Sequence, residues 1–107
     1  MDTYILSKDK KVIKEPNLDI WSKSRAKSNW LVQKNVIPDK NIEISTVFLG
    51  IDHSFSGAKE PLLFETMVFG GPLDQEMDRC STYKQAERMH EVMCNRVKET
   101  MQKLVEA

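Results

Sequence analysis

Residues 44–53 read ISTVFLGIDH, an apolar, β-branched run that stops at Gly50 and is followed by a carboxylate beside an imidazole. Such a run belongs to a strand, because branched and aromatic side chains fit a pleated surface. Residues 62–69, LLFETMVF, make a second strand, closed by Gly70, Gly71 and Pro72. The joining segment DHSFSGAKEP carries Gly57 and Pro61 and is too polar to be a strand itself. Glu43 to Ile51 and Leu62 to Phe69 are therefore expected to pair as an antiparallel hairpin with a long loop.

Working outward, residues 4–13 predict a short hairpin: Tyr4 to Leu6, a polar turn over Ser7 to Lys10, then Val12 and Ile13. Pro16 and Asn17 break it. LDIWSKSRAK, residues 18–27, predicts a short helix with Trp21 turned inward. NWLVQKNVI, residues 29–37, alternates, with Trp30, Val32, Lys34 and Val36 on one face of a strand, and a turn follows at Pro38. From a cap at Ser81 or Thr82 no Gly or Pro interrupts the chain to Ala107. Ala86, Met89 or His90, Met93, Val97, Thr100 or Met101, and Leu104 recur at helical spacing as one apolar stripe. The stretch from Gly70 to Cys80 reads as a loop. The expected fold is α+β: an antiparallel sheet of about four to five strands, a long C-terminal helix packed on one face, and a short helix near Trp21. Residues 1–107 are expected to form a single domain.

Parity along the central hairpin raises a difficulty. Ile42, Ile44 and Phe48 share one side of the first strand, and Val47, Leu49 and Ile51 the other. In the second, Leu62, Phe64 and Val68 oppose Leu63, Met67 and Phe69. A half-solvated antiparallel strand is polar on one parity, and neither of these is. One helix shields one face, so the other needs the N-terminal segment, a bound ligand or a second subunit; a homodimer through the sheet is the favoured expectation.

Sixteen basic residues balance sixteen acidic ones, so no global field draws nucleic acid or an anionic membrane. Lysines do crowd the first forty residues, which keeps nucleic-acid contact as the weakest of the functional readings. Cys80 and Cys94 make neither a zinc spacing nor a disulfide framework. The N-terminus lacks the order of a signal peptide, and no apolar run nears the ~18 residues that span a bilayer, so a cytoplasmic protein is expected.

Few residues look chemical. Asp52 and His53 stand where the first strand meets its loop: a binding pair, or a turn cap beside an exposed ring. Glu65 interrupts an apolar strand between Phe64 and Thr66, and must be paired, hydrogen-bonded or at an edge. An ion pair to Arg79 or a lysine is the plain alternative to a site, and Arg79 alternatively serves an anion or pairs with Asp74 or Asp78. His90 lies on the inward seam of the helix, as a satisfied core residue or a ligand. Convergence of Asp52, His53, Glu65 and His90 would make a metal or acid–base site. No phosphate loop, dinucleotide fingerprint, HExxH or nucleophile elbow is present.

Taken together, ISTVFLGIDHSF, PLLFETMVFGGPLD and RCSTYKQAERMH resemble a family of short, functionally uncharacterised proteins encoded in phages and prophages. The resemblance runs through Ser45 to His53, Leu63 to Gly71 and Arg79 to His90, with Leu18 to Trp21 matching a Trp-containing acidic segment more loosely. It covers most of residues 18–90 and picks out Asp52, His53, Glu65, Thr66, Arg79 and His90 as candidate binding residues. The resemblance implies a phage context and no activity; the leading expectation is a phage-type accessory protein, without catalysis or cofactor, that binds a host macromolecule or sequesters a small ligand in the host cytoplasm. The alternative is a small metal-dependent or acid–base hydrolase using Asp52, His53, Glu65 and His90.

Overall fold

The computed structural model describes residues 2–27, 30–54 and 58–106. The first and last residues of the chain, the Asn29 end of the expected third strand and Gly57 of the long loop lie outside this set. Strands β1 (Tyr4–Leu6) and β2 (Val12–Lys14) form an antiparallel two-stranded ribbon. Helix α1 (Leu18–Lys27) follows, started by Asn17, whose Oδ1 accepts from the N–H groups of Asp19 and Ile20. Then come β3 (Leu31–Ile37), a 3-10 turn over Pro38–Lys40, β4 (Ile42–Phe48), β5 (Phe64–Phe69), β6 (Met77–Cys80) and helix α2 (Tyr83–Glu106). The second sheet has four strands in the order β3-β4-β5-β6, all antiparallel. This is the expected α+β fold.

Thr82 caps α2 in a reciprocal box: its Oγ1 accepts from Gln85 N–H, and Gln85 Oε1 accepts from Thr82 and Ser81 N–H. Ala86, Met89, His90, Met93, Cys94 and Val97 turn down onto the sheet. They meet Ile42, Ile44, Phe48, Phe64 and Val68 in two adjoining clusters. Leu104, expected on the same stripe, is exposed. The 24-residue helix runs about 36 Å, whereas seven-residue strands reach only ~23 Å, so its last turns pass beyond the sheet.

Several boundaries differ from expectation for identifiable reasons. Met77–Cys80 is a strand, not a loop: four residues with no apolar alternation pair with β5, where ladder hydrogen bonds outweigh weak local propensity. β4 ends at Phe48, because Gly50 turns the chain at φ +73 and Ile51 bridges to Thr3 instead. The left-handed backbone is what requires glycine there; a Cβ would also meet the tip of the Arg25 side chain at 2.7 Å. A β-bulge between Leu31 and Gln33 breaks the predicted alternation of β3. Val32 consequently joins the core with Phe48 and Met89, while Lys34 and Val36 go to the opposite face.

The N-terminal segment is fastened to one end of the sheet. Trp21 Nε1 donates to Gly50 O at 3.0 Å, and Arg25 Nη1 donates to Leu49 O at 2.7 Å. The Arg25 guanidinium stands 4.5 Å from the Trp30 ring centre and 5.6 Å from that of Trp21. Tyr4, Leu6 and Val12 pack against the Phe48–Phe64–Met89 cluster, on the same side as α2.

On the face away from α2, paired registers set out three rows: Val36, Glu43, Phe69; Lys34, Ser45, Met67, Met77; and Leu31, Val47, Glu65, Arg79. The expectation that neither parity is polar is corrected here. Glu43, Ser45 and Glu65 share this face with the apolar residues, whereas Thr46 and Thr66 are buried on the other. Leu63, expected beside Met67, is buried with Phe48 and Phe64, since it precedes the regular pleat. Val36 remains 54% exposed, and Phe69 and Met77 41% each, so the N-terminal segment does not cover this face.

Candidate functional site

Six polar positions were singled out from sequence, and the fold distributes them over three places. Asp52 is a turn cap: its Oδ1 accepts from Ser54 N–H at 2.8 Å and Leu62 N–H at 3.0 Å, holding the mouth of the long loop. Partial burial opposes ionisation of this carboxyl, but the two backbone N–H groups and neighbouring His53 hold it below its ordinary pKa. His53 is exposed, and its backbone N–H donates to Leu62 O.

Glu65 and Arg79 face each other across β5 and β6 on the uncovered side of the sheet. Arg79 Nε donates to Glu65 Oε2 at 3.0 Å, with side chains 29% and 16% exposed. The carboxylate that looked odd in an apolar strand is accommodated as an ion pair at a sheet surface.

Thr66 and His90 do meet, under α2. Thr66 pairs with Thr46 across β5 and β4, with the two hydroxyl oxygens 2.5 Å apart. Thr46 Oγ1 is 2.7 Å from His90 Nδ1, and His90 Nε2 is 2.7 Å from Asn35 Oδ1 on β3. Thr46, Thr66 and His90 are almost fully closed to solvent, while Asn35 is exposed. With Asn35 Oδ1 as the acceptor, Nε2 carries the imidazole proton. Nδ1 then accepts from Thr46, and Thr46 accepts from Thr66. Burial lowers the His90 pKa, which favours this neutral ring. Every donor in the chain has an acceptor, and it ends at the carboxamide of Asn35, an exposed residue.

That exposed end forms part of the floor of a groove of about 680 Å³ between β3 and α2. Gln33 and Asn35 contribute from β3, and Cys94, Glu87, Glu91 and Lys98 from α2. The volume is within the range of small-molecule sites. The lining offers carboxamides and both signs of charge, so it suits a polar ligand that is itself of mixed sign. Burial raises the pKa of the Cys94 thiol, and that of Cys80 to about 11, so neither sulfur is a poised nucleophile.

Glu65 and His90 therefore lie on opposite faces of one sheet, and Asp52 with His53 at its end. One protomer does not bring the four together as an acid–base set. Among the described residues no three His, Cys, Asp or Glu side chains group as metal ligands. Thr46 and Asn35 escaped the sequence reading. A Thr at the same parity as Ile44 and Phe48, opposite another Thr, was the available signal. Asn35 carried none, because its role depends on a helix 55 residues away. No helix among the described residues is long and apolar enough to cross a membrane. In comparisons with known proteins, no family model matches the chain, and neither a curated protein nor a solved structure matches it.

Proposed function

We propose that the chain is a small accessory protein, of the phage type its strand blocks resemble, that acts by binding and not by catalysis. It holds a small ligand of mixed charge, of the size of an amino acid or nucleoside, in the groove beside α2. The observation that carries this reading is the Thr66–Thr46–His90–Asn35 chain. Polar groups in a core are a net cost or near-neutral relative to apolar packing, so a fully paired chain ending at one solvent-facing amide is organised for that amide. Asn35 thereby presents fixed donors, with Gln33 beside it and Glu87, Glu91 and Lys98 along the wall.

Two-dimensional amide NMR of the protein with panels of amino acids, nucleosides and small dicarboxylates tests the reading. Binding should shift the side-chain amide resonances of Asn35 and Gln33, and Asn35→Ala should weaken it about tenfold or more. The ligand should be recovered chemically unchanged. Shifts confined to Asp52 and His53, or ligand turnover, would overturn it.

A further inference from the structure

We infer that the sheet face away from α2 is the interface of a homodimer, with the second copy packed face to face and the two-fold axis running along the strands. This does not rest on the ligand reading, because the groove lies on the other side of the sheet. Three features of the face select a second copy as its occupant.

Its charge is self-balanced. Lys34 pairs with Glu43 at 3.3 Å and Arg79 with Glu65 at 3.0 Å, so the face is neutral and offers no field to a strongly charged partner. Its apolar residues lie on both halves: Phe69, Met67 and Met77 on β5 and β6, and Val36, Leu31 and Val47 on β3 and β4. A two-fold axis along the strands lays β4 over the partner's β5, so Ser45, the smallest side chain of the array, receives the partner's Met67. Glu43 then lies over the partner's Phe69 and Lys34 over the partner's Met77, and no like charges oppose. An axis across the strands would instead stack Lys34 on its own copy. Aligned packing of this kind, at about −30°, is the common way two twisted sheets share a core.

The area is also right for a reversible dimer. Strands of seven, seven, six and four residues, at ~3.3 Å per residue and about 4.8 Å apart, present roughly 380 Å² of projected face, and side chains raise the accessible area above that. Such an interface falls at the small, transient end of the size scale, so the dimer is expected to be weak and to assemble only in the micromolar range or above.

Sedimentation equilibrium between about 1 and 200 μM reads this directly. The mass should climb from 12.4 kDa toward twice that value. Met77→Lys, which sets a cation over the partner's Lys34, and Phe69→Glu, which opposes the partner's Glu43, should each weaken association at least tenfold. Glu91→Ala, on the far side of the sheet, should leave it unchanged. Circular dichroism identifies any variant that fails to fold, and Val36→Asp at the exposed strand edge then takes its place. A monomer throughout the range, or association equally tight in every folded face variant, would overturn the inference.

Discussion

The two faces of the four-stranded sheet each depart in part from the usual distribution of polarity. Under α2, closed to water, lie two threonines and a histidine among the aliphatic residues. On the open side, Val36, Phe69 and Met77 stand in solvent beside two ion pairs. A fold selected only for its own stability would do neither, because buried hydroxyls forgo apolar contact and exposed apolar surface forgoes burial. The contrast teaches where to look for function. On the two proposals made above, the covered face would set one amide at a groove, and the open face would receive a second copy of the chain.

The sharpest way to break that comparison is to remove a hydroxyl from each face's central row. Thr46→Val keeps the shape but leaves both His90 Nδ1 and the Thr66 hydroxyl buried without partners. Urea denaturation should show a loss of about 3 kcal/mol, against within ~0.5 kcal/mol for Ser45→Val on the open face. Equal costs at the two sites would mean that the buried chain has no special standing.

Acid should act next. His90 titrates below its ordinary 6.5 in the folded state, so the unfolded chain takes up the proton first as pH falls. The stability held by the neutral ring is complete above about pH 6.5. It is lost between that value and the lower folded pKa, at up to ~1.4 kcal/mol per pH unit. His90→Asn should flatten urea midpoints between pH 7.5 and 5 relative to the native chain. Asp52, also lowered, contributes in a separate window, with stability lost only as pH falls below its ordinary 3.8. An unaltered slope in His90→Asn would remove the histidine from the account.

Thr66→Val ends the chain one member early and leaves His90 paired, so its cost should be about 1 kcal/mol by the same measurement. A cost as large as that of Thr46→Val would show that the hydroxyls do not run in the assigned order. Smallest is the open face: Arg79→Ala should cost about 0.5–1 kcal/mol in the monomer, since a surface ion pair returns little.

Much of the architecture was legible. The central hairpin and the capped terminal helix followed from parity, turn residues and helical spacing, whereas parity left the exact register of Glu65 open between neighbouring partners. Glu65 was rightly identified as a residue that needs a partner, and Arg79 was one of the partners considered. The strand at Met77–Cys80 was not legible, because MDRC has no alternation and is held by its neighbour. Nor was the bulge in β3, which sends Val32 and Val36 to opposite faces from a sequence that alternates cleanly. The singled-out residues were a mixture: Thr66 and His90 share a buried chain, while Asp52 closes a turn and Glu65 braces a surface.

The sequence alone determined what is local or periodic: which segments pair, which helix stripe is apolar, and where the chain must turn. Those properties depend on neighbours within a few residues, and their signals are written in spacing. The tertiary structure alone decided that Asn35, Thr46, Thr66 and His90 meet, and that one sheet face is left open. Side chains from three strands and a helix come together only when the sheet and α2 are packed, and no spacing in a linear chain encodes that distance.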